Sequence, residues 1–269
     1  DPLAIEVAGV TVDFTGMRAL DGVSLAVPTA GCFGIVGESG SGKSTLLKLI
    51  AGITPPTSGS VEVRGRVVSL LELGAGFQPE FTGMENIFLQ GRILGLTRPE
   101  ILRHLDEIIE FSGLGPFVHT PTKRYSTGMI VRLGFAVAAY FDADLLLIDE
   151  VLAVGDAAFQ TRCLDRIAEL KREGKSILLV SHDLNHIERA AEDVLWIERG
   201  AVRMIGPVEK VIHAYERSAH DAIAASAPAT AHDPVSATLL PTVRQGTGEV
   251  LIREIEILRR DNQPASRFL

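Results

Sequence analysis

Gly37-Glu38-Ser39-Gly40-Ser41-Gly42-Lys43-Ser44-Thr45 fits the pattern G-x-x-x-x-G-K-[ST]. The apolar stretch Cys32-Phe33-Gly34-Ile35-Val36 precedes it and predicts a buried strand. Leu46, Leu47 and Ile50 follow on one stripe and predict a helix over 44–51. A strand, a glycine-rich loop and a helix start form the context in which this pattern cradles phosphate. Its glycines let backbone N–H groups turn inward with no Cβ in the way. The unpaired N–H groups and positive end of the next helix favour the same anion. Lys43 adds a point charge for the β- and γ-phosphates, and Ser44 offers Mg²⁺ a hydroxyl. ATP with Mg²⁺ is therefore the expected ligand.

The chain has 269 residues, 46% of them hydrophobic, enough for a sizeable core in one large domain or one domain plus a fragment. A net charge of −8 argues against a broad nucleic-acid footprint. Cys32 and Cys163 lie in apolar or amphipathic surroundings and are expected as buried free thiols. The long apolar region from Met129 to Gly155 is interrupted by Arg132, Asp142, Asp144, Asp149 and Glu150, which excludes a membrane span. No basic and then apolar leader opens the sequence.

Residues 4–13 and 23–27 predict short strands, with Phe14 in the loop-like stretch between them. By residue type alone Phe14 reads as core; upstream of a phosphate loop it could also stack on a purine. Residues 60–69 are strand-like with a break at Gly65. Gln78, past the next loop, has a carbonyl that could face a metal and an amide that could face water, but taken alone it reads as a plain loop residue. Residues 84–113 predict a self-contained helical insert with a capping box at Thr97 and Glu100. Ser126 opens another helix, where capping and phosphate binding would use the same N–H groups. Leu145-Leu146-Leu147-Ile148-Asp149-Glu150 predicts a central parallel strand ending in two acids, with Mg²⁺ the natural partner beside a phosphate loop. A helix over 157–173 follows, then a second buried strand over 176–181 ending at His182. Residues 194–205 predict a hairpin about Arg199-Gly200, and 207–217 a helix. From 218 the composition turns to Ala, Ser, Thr, Pro and His, a linker pattern. Glu249 to Leu258 is strand-like, and one strand cannot stand alone. The start of a further β domain, or a strand docked elsewhere, is expected.

Alternating strands and helices about a phosphate loop predict an α/β nucleotide-binding core. In that order the motifs resemble the nucleotide-binding subunit of ABC transporters. Gly37 to Thr45 is similar to Walker A, Leu145 to Asp149 with Glu150 to Walker B, Gln78 to the Q-loop, and His182 to the switch histidine. Ala153-Val154-Gly155-Asp156 resembles the D-loop, and Phe14 falls at the adenine-stacking aromatic. The signature departs from L-S-G-G-Q: it is Tyr125-Ser126-Thr127-Gly128-Met129, keeping Ser126 and Gly128. That form, with Arg132-Leu133-Gly134-Phe135-Ala136, Leu71 to Phe77, Thr82 to Ile87 and Val154 to Phe159, resembles the polysaccharide-export branch, O-antigen exporters in particular. Arg244 to Val250 resembles the opening of their carbohydrate-binding β-sandwich.

The resemblance implies a P-loop ABC-type ATPase core over 1–217. It implies an antiparallel β subdomain and a helical subdomain over about 79–140. A linker over 218–243 and the start of a C-terminal β-sandwich over 244–269 would follow. It implies a head-to-tail homodimer clasping two ATP molecules, each between Gly37, Glu38, Ser39, Gly40, Ser41, Gly42, Lys43, Ser44 and Thr45 of one copy and Ser126 and Gly128 of the other. Glu150 would polarise the attacking water, His182 would contact the γ-phosphate, and Asp149, Ser44 and Gln78 would hold Mg²⁺. Closure would drive two copies of a separate transmembrane permease, docked on residues 79–125 at the cytoplasmic face of the inner membrane, with a lipid-linked polysaccharide as cargo. A teichoic-acid or capsule exporter would share every catalytic motif. A soluble ABC switch usually carries two cassettes or long coiled coils, and this sequence has one phosphate loop and no sustained heptads. A carbohydrate-binding module with a dead ATPase would have lost residues that are present here: Lys43, Asp149, Glu150 and His182.

Overall fold

The computed structural model describes residues 2–71, 76–140, 143–149, 156–226, 255–258 and 264–268. Two compact units divide the chain, 1–225 and 226–269.

The first unit is built on a six-stranded sheet. One of its two central strands is β3 (Gly31–Val36), the apolar run before the phosphate loop. With β5 (Val67–Ser69), β6 (Leu145–Asp149), β7 (Ser176–Val180), β8 (Asp193–Glu198) and β9 (Ala201–Pro207), the order is β5-β6-β7-β3-β8-β9. All neighbours are parallel except the β8–β9 hairpin. Parallel strands need helical crossovers, which cover both faces, so β6 and β7 are nearly continuous apolar runs. The period of two in a strand then sorts each run into two cores. Cys32, Val36, Leu146, Ile148, Ile177 and Leu179 join the helical side. Phe33, Ile35, Leu145, Leu147, Leu178 and Val180 join the side that holds α1 (Lys43–Ile50) and the outer sheet.

That outer sheet has the antiparallel order β2-β1-β4, from β1 (Leu3–Phe14), β2 (Met17–Pro28) and β4 (Ser58–Val63). The strands are longer than the sequence pattern predicts, and only Thr15-Gly16 separates the first two. Most of the missed length is in β2, where the register shifts between Val10 and Val12 of β1 and the buried set changes parity from Val23 to Leu20. Gly65 divides residues 60–69 between two sheets, not within one strand.

The expected insert over 84–113 is three helices: α2 (Gly83–Ile93), α3 (Arg98–Arg103) and α4 (Leu105–Ser112). Each of α2 and α3 begins at a Thr–Glu pair. Glu85 accepts from the Thr82 N–H and hydroxyl at 2.8 Å, and Glu100 from those of Thr97 at 2.7 and 2.6 Å. The insert is not self-contained. Ile87, Ile101, Ile108 and Phe111 share one core with Leu133 and Phe135 of α5 (Thr127–Ala139) and with Phe159 of α6 (Ala157–Arg172). Helix α7 (Leu184–Ala190) lies close on β3, where an added Cβ at Gly34 would sit 2.9 Å from Ile187.

Helix α8 (Val208–Ser226) runs nine residues beyond the predicted end at 217, into the stretch expected as linker. Alanine has the highest helix propensity, and alanines dominate this stretch. In the second unit, β10 (Ile255–Leu258) pairs antiparallel with β11 (Pro264–Phe268), so the last part of the predicted strand has a partner strand that the pattern missed.

Candidate functional site

The phosphate loop joins β3 to α1 at the carboxyl edge of the central sheet, where open α/β sheets bind ligands. Its shape is set by close approach. A Cβ on Gly37 (φ 155°) would collide with the Ile197 carbonyl, and one on Gly42 (φ 107°) would lie 2.8 Å from the Ala19 carbonyl. Lys43 folds back over the loop, its Nζ donating to the carbonyls of Gly37 at 2.6 Å and Glu38 at 2.8 Å. The Ser41 N–H donates to the Glu38 carbonyl at 3.1 Å, and the Leu46 N–H to that of Gly42 at 2.9 Å. The first N–H groups of α1 have no acceptor within the helix. Ser41 is 4% exposed, and among the described residues its Oγ has no hydrogen-bond partner.

A cavity of about 700 Å³ opens over this loop. Gly37 and Ser39 to Thr45 form its floor; Phe14, Met17, Arg18, Ala19, His182, Arg199 and Gly200 form its walls. Phe14 and Met17 are paired across the β1–β2 turn and remain 48% and 65% exposed. Phe14 is thus a wall of the cavity and not core. His182 follows β7, and its segment is fixed by Asp183, which N-caps α7 by accepting from the Asn185 N–H at 2.9 Å. The side-chain amide of Asn185 holds the Asp183 carboxyl below the usual carboxylate range, and its backbone N–H adds to this.

Asp149 ends β6 level with Val180 of β7, which is itself level with Ile35 of β3. It therefore stands two strand spacings, about 10 Å, from the root of the phosphate loop. Ser44 lines the cavity and Asp149 ends a strand at the same edge. Both offer hard oxygen ligands, which fits Mg²⁺, a cation that takes few protein ligands and keeps its waters. Glu150 and residues 151–155 lie outside the described residues. Asp156 N-caps α6 by accepting from the Phe159 N–H at 2.8 Å and pairs with Arg132 of α5 at 2.8 Å. That N–H and Arg132 hold the Asp156 carboxyl low.

Five expected residues stand off the cavity: Asp149, at the end of its strand, and four others. Glu38 instead borders an adjoining recess between the loop, Trp196 and Tyr215. The Gln78 side chain is exposed, while its backbone is clamped: its N–H donates to Asn86 Oδ1 at 2.7 Å and its carbonyl accepts from Thr122 Oγ1 at 3.0 Å. Ser126 caps α5, accepting from the Met129 N–H at 3.3 Å, and Gly128 lies in that helix's first turn. An added Cβ at Gly128 would meet only Ser126 Oγ, at 3.8 Å, so nothing among the described residues requires a glycine there. Tyr125 leads this segment. Its hydroxyl donates to the Phe117 carbonyl at 2.7 Å and lies where a Cβ on Gly83 would be.

Sequence reasoning missed Met17, Arg18, Ala19, Arg199 and Gly200. The last two are readable as a hairpin turn, but nothing local says that the turn folds onto the phosphate loop. It does so through the Gly200 N–H, which donates to the Ser41 carbonyl at 2.9 Å.

A family model described as ABC transporter matches residues 20–153. The chain is 48% identical over 218 residues to the O-antigen export system ATP-binding protein RfbB of Myxococcus xanthus, covering 81% of this chain and 50% of that protein. It is 46% identical over 200 residues to RfbB of Klebsiella pneumoniae, covering 74% of this chain and 81% of that protein. It is also 46% identical over 197 residues to the teichoic acids export ATP-binding protein TagH of Levilactobacillus brevis, covering 73% and 54%. The chain thus spans half of the Myxococcus relative. Among solved structures, an ATP binding subunit of an ABC transporter superposes with a TM-score of 0.73 at 24% identity, covering 80% of this chain and 94% of that one. A dimeric post-hydrolysis state of the ATP-binding cassette MJ0796 gives 0.67 at 21% identity, covering 76% and 98%. At these identities the structures show the fold alone.

Proposed function

Because the chain belongs to the ABC transporter family, we propose that it is the ATP-binding and ATP-hydrolysing subunit of an exporter that moves a lipid-linked O-antigen polysaccharide across the cytoplasmic membrane. The observation that carries the ATPase reading is that the phosphate loop, Phe14 and His182 line one cavity. The orphaned Ser41 hydroxyl and the first N–H groups of α1 suit an anion. Phe14 suits the base.

In this reading, Lys43, Ser41 and the loop N–H groups hold the phosphates, and His182 contacts the γ-phosphate. Glu150 takes the proton from a water whose oxygen attacks the γ-phosphorus, and ADP leaves. Ser44, Asp149 and Gln78 would hold Mg²⁺, which neutralises charge on the β- and γ-oxygens when bound. Ser126 and Gly128 serve the nucleotide of a second copy, which accounts for a glycine that its own chain does not require. Closure on ATP and opening after hydrolysis then move a separate membrane subunit. Phe81 and Phe117, 43% and 61% exposed within residues 79–125, support that region as its docking surface. No helix among the described residues is long and apolar enough to cross a membrane. A peripheral position on the cytoplasmic face, held by the membrane subunit, agrees with this. Identity to the two O-antigen export proteins supports the cargo.

The test is Glu150→Gln. It should retain ATP and hold the chain as an ATP-dependent dimer in sizing experiments, with phosphate release nearly abolished. Turnover at the unsubstituted rate would remove Glu150 from the proton-transfer role.

A further inference from the structure

We propose that Arg199 is a further nucleotide-positioning residue, a cation that the β8–β9 turn delivers to the polyphosphate of the bound nucleotide. The proposal rests on the ATPase reading above and extends it to a residue that no phosphate-loop pattern includes.

Arg199 and Gly200 are the two residues of the hairpin turn, with φ of 49° and 81°. Two consecutive positive φ values make a turn that favours Asn, Asp or Gly at its first position. An arginine there adopts a left-handed backbone that its side chain disfavours, and such positions cluster at functional sites. The turn is also fixed. The Gly200 N–H donates to the Ser41 carbonyl at 2.9 Å, and the Gly200 carbonyl accepts from the Asp21 N–H at 2.8 Å. An added Cβ at Gly200 would lie 2.8 Å from the Ala19 carbonyl, so the turn seats directly on β2.

Three cations line the cavity. Arg18 is held by Asp13 and Asp21, each at 2.9 Å. Lys43 is buried over the loop carbonyls. Among the described residues, the Arg199 guanidinium has neither a hydrogen bond nor an ion pair, although it lines the cavity. It also borders the adjoining recess, which it shares with Ser39, Gly40 and Ser41 of the loop and with Glu38 and Glu198. Ser39, Gly40 and Ser41 of the phosphate loop are the residues that border both spaces with it. A planar donor set beside anionic oxygens forms charge-assisted hydrogen bonds. The two carboxylates of the recess offer a competing seat, which the test separates.

The full 269-residue chain is compared with Arg199→Asn and Arg199→Lys. ATP, ADP and adenosine compete against a fluorescent ATP analogue in Mg²⁺ buffer, and thermal midpoints are measured in parallel. Asparagine tolerates the left-handed turn, so Arg199→Asn should match or exceed the unsubstituted midpoint. Its affinity for ATP and ADP should fall about tenfold, the loss of one hydrogen bond to a charged group. Adenosine should be unaffected, and Arg199→Lys should fall between. Unchanged ATP affinity in Arg199→Asn overturns the proposal, as does an equal loss for adenosine. A lowered midpoint with unchanged ATP affinity assigns Arg199 to the recess and overturns it too. Absence of ATP binding by the unsubstituted chain overturns the ATPase reading, and the proposal falls with it.

Discussion

Asn86 is fully buried, and one amide accounts for the segment that leads from the central sheet to the signature helix. Its Nδ2 donates toward the carbonyls of Gln78, Phe81 and Thr82 at 3.0–3.2 Å and toward Thr122 Oγ1 at 3.2 Å, while its Oδ1 accepts from the Gln78 N–H. Asn86→Ala removes the acceptor of that N–H and the donors to three carbonyls, and should cost about 1–3 kcal/mol in urea unfolding. An unchanged midpoint would mean that water replaces the amide. Phe14 is the opposite case, half exposed on the cavity wall. Phe14→Ala should leave the unfolding midpoint nearly unmoved and weaken ATP binding by about 1–3 kcal/mol, the range for base–aromatic stacking. Equal nucleotide affinity in a titration would remove the ring from the site.

Between elements, the contact of Tyr125 with Gly83 joins the start of the signature segment to the start of α2. Two of the motifs that carry the polysaccharide-export resemblance thus meet in one contact. Gly83→Ala places a methyl group on the Tyr125 hydroxyl, and Tyr125→Phe removes that hydroxyl along with its bond to Phe117. The double variant should be more stable than the two single losses add up to, by about 0.5–3 kcal/mol, the range for residues in contact. Strict additivity in a denaturation cycle would show that the helix shifts instead. The element ends also set the acid limit. Glu85 is held low by the N–H and hydroxyl of Thr82, and Glu100 by the hydroxyl and N–H of Thr97. A depressed folded pKa means that this stabilisation is full above the ordinary glutamate value of 4.5 and is lost as pH falls through the lower folded value. The fall in thermal midpoint below pH 4.5 should be shallower in Glu85→Gln, whose cap carries no titrating proton; an identical acid slope would contradict this.

For the whole molecule, the central sheet separates two cores by the parity of its strand residues. Cys32 faces one of them, and Cys163 on α6 joins the same side. Burial pushes both thiols up to about 12, so neither is a thiolate near neutrality. A thiol-specific chromogenic reagent at pH 8 should leave both unmodified in the folded chain and modify two per chain in denaturant. Rapid native labelling would show that α6 opens locally.

Much of the first unit was legible in order. Continuous apolar runs announce the parallel strands, because strands covered on both faces cannot alternate. The phosphate loop is local in sequence, so its glycines, Lys43 and Ser44 could be read without a fold. Three kinds of fact were not legible. Length was lost where a register shift changed parity in β2, between Leu20 and Val23, and where alanine-rich composition was read as linker although it forms helix. Partnership was lost because Tyr125 and Gly83, or Asn86 and Thr122, are distant in sequence and meet only through packing. The site itself was half visible. Gly37 and Ser39 to Thr45 form the floor, but besides His182 after β7 the walls come from the β1–β2 turn with the start of β2 and from the turn after β8, and a turn carries no record of what it faces. The sequence by itself determined which chemistry the loop performs; the tertiary structure decided which side chains stand around it, because closing distant segments onto one sheet edge is a property of the whole chain.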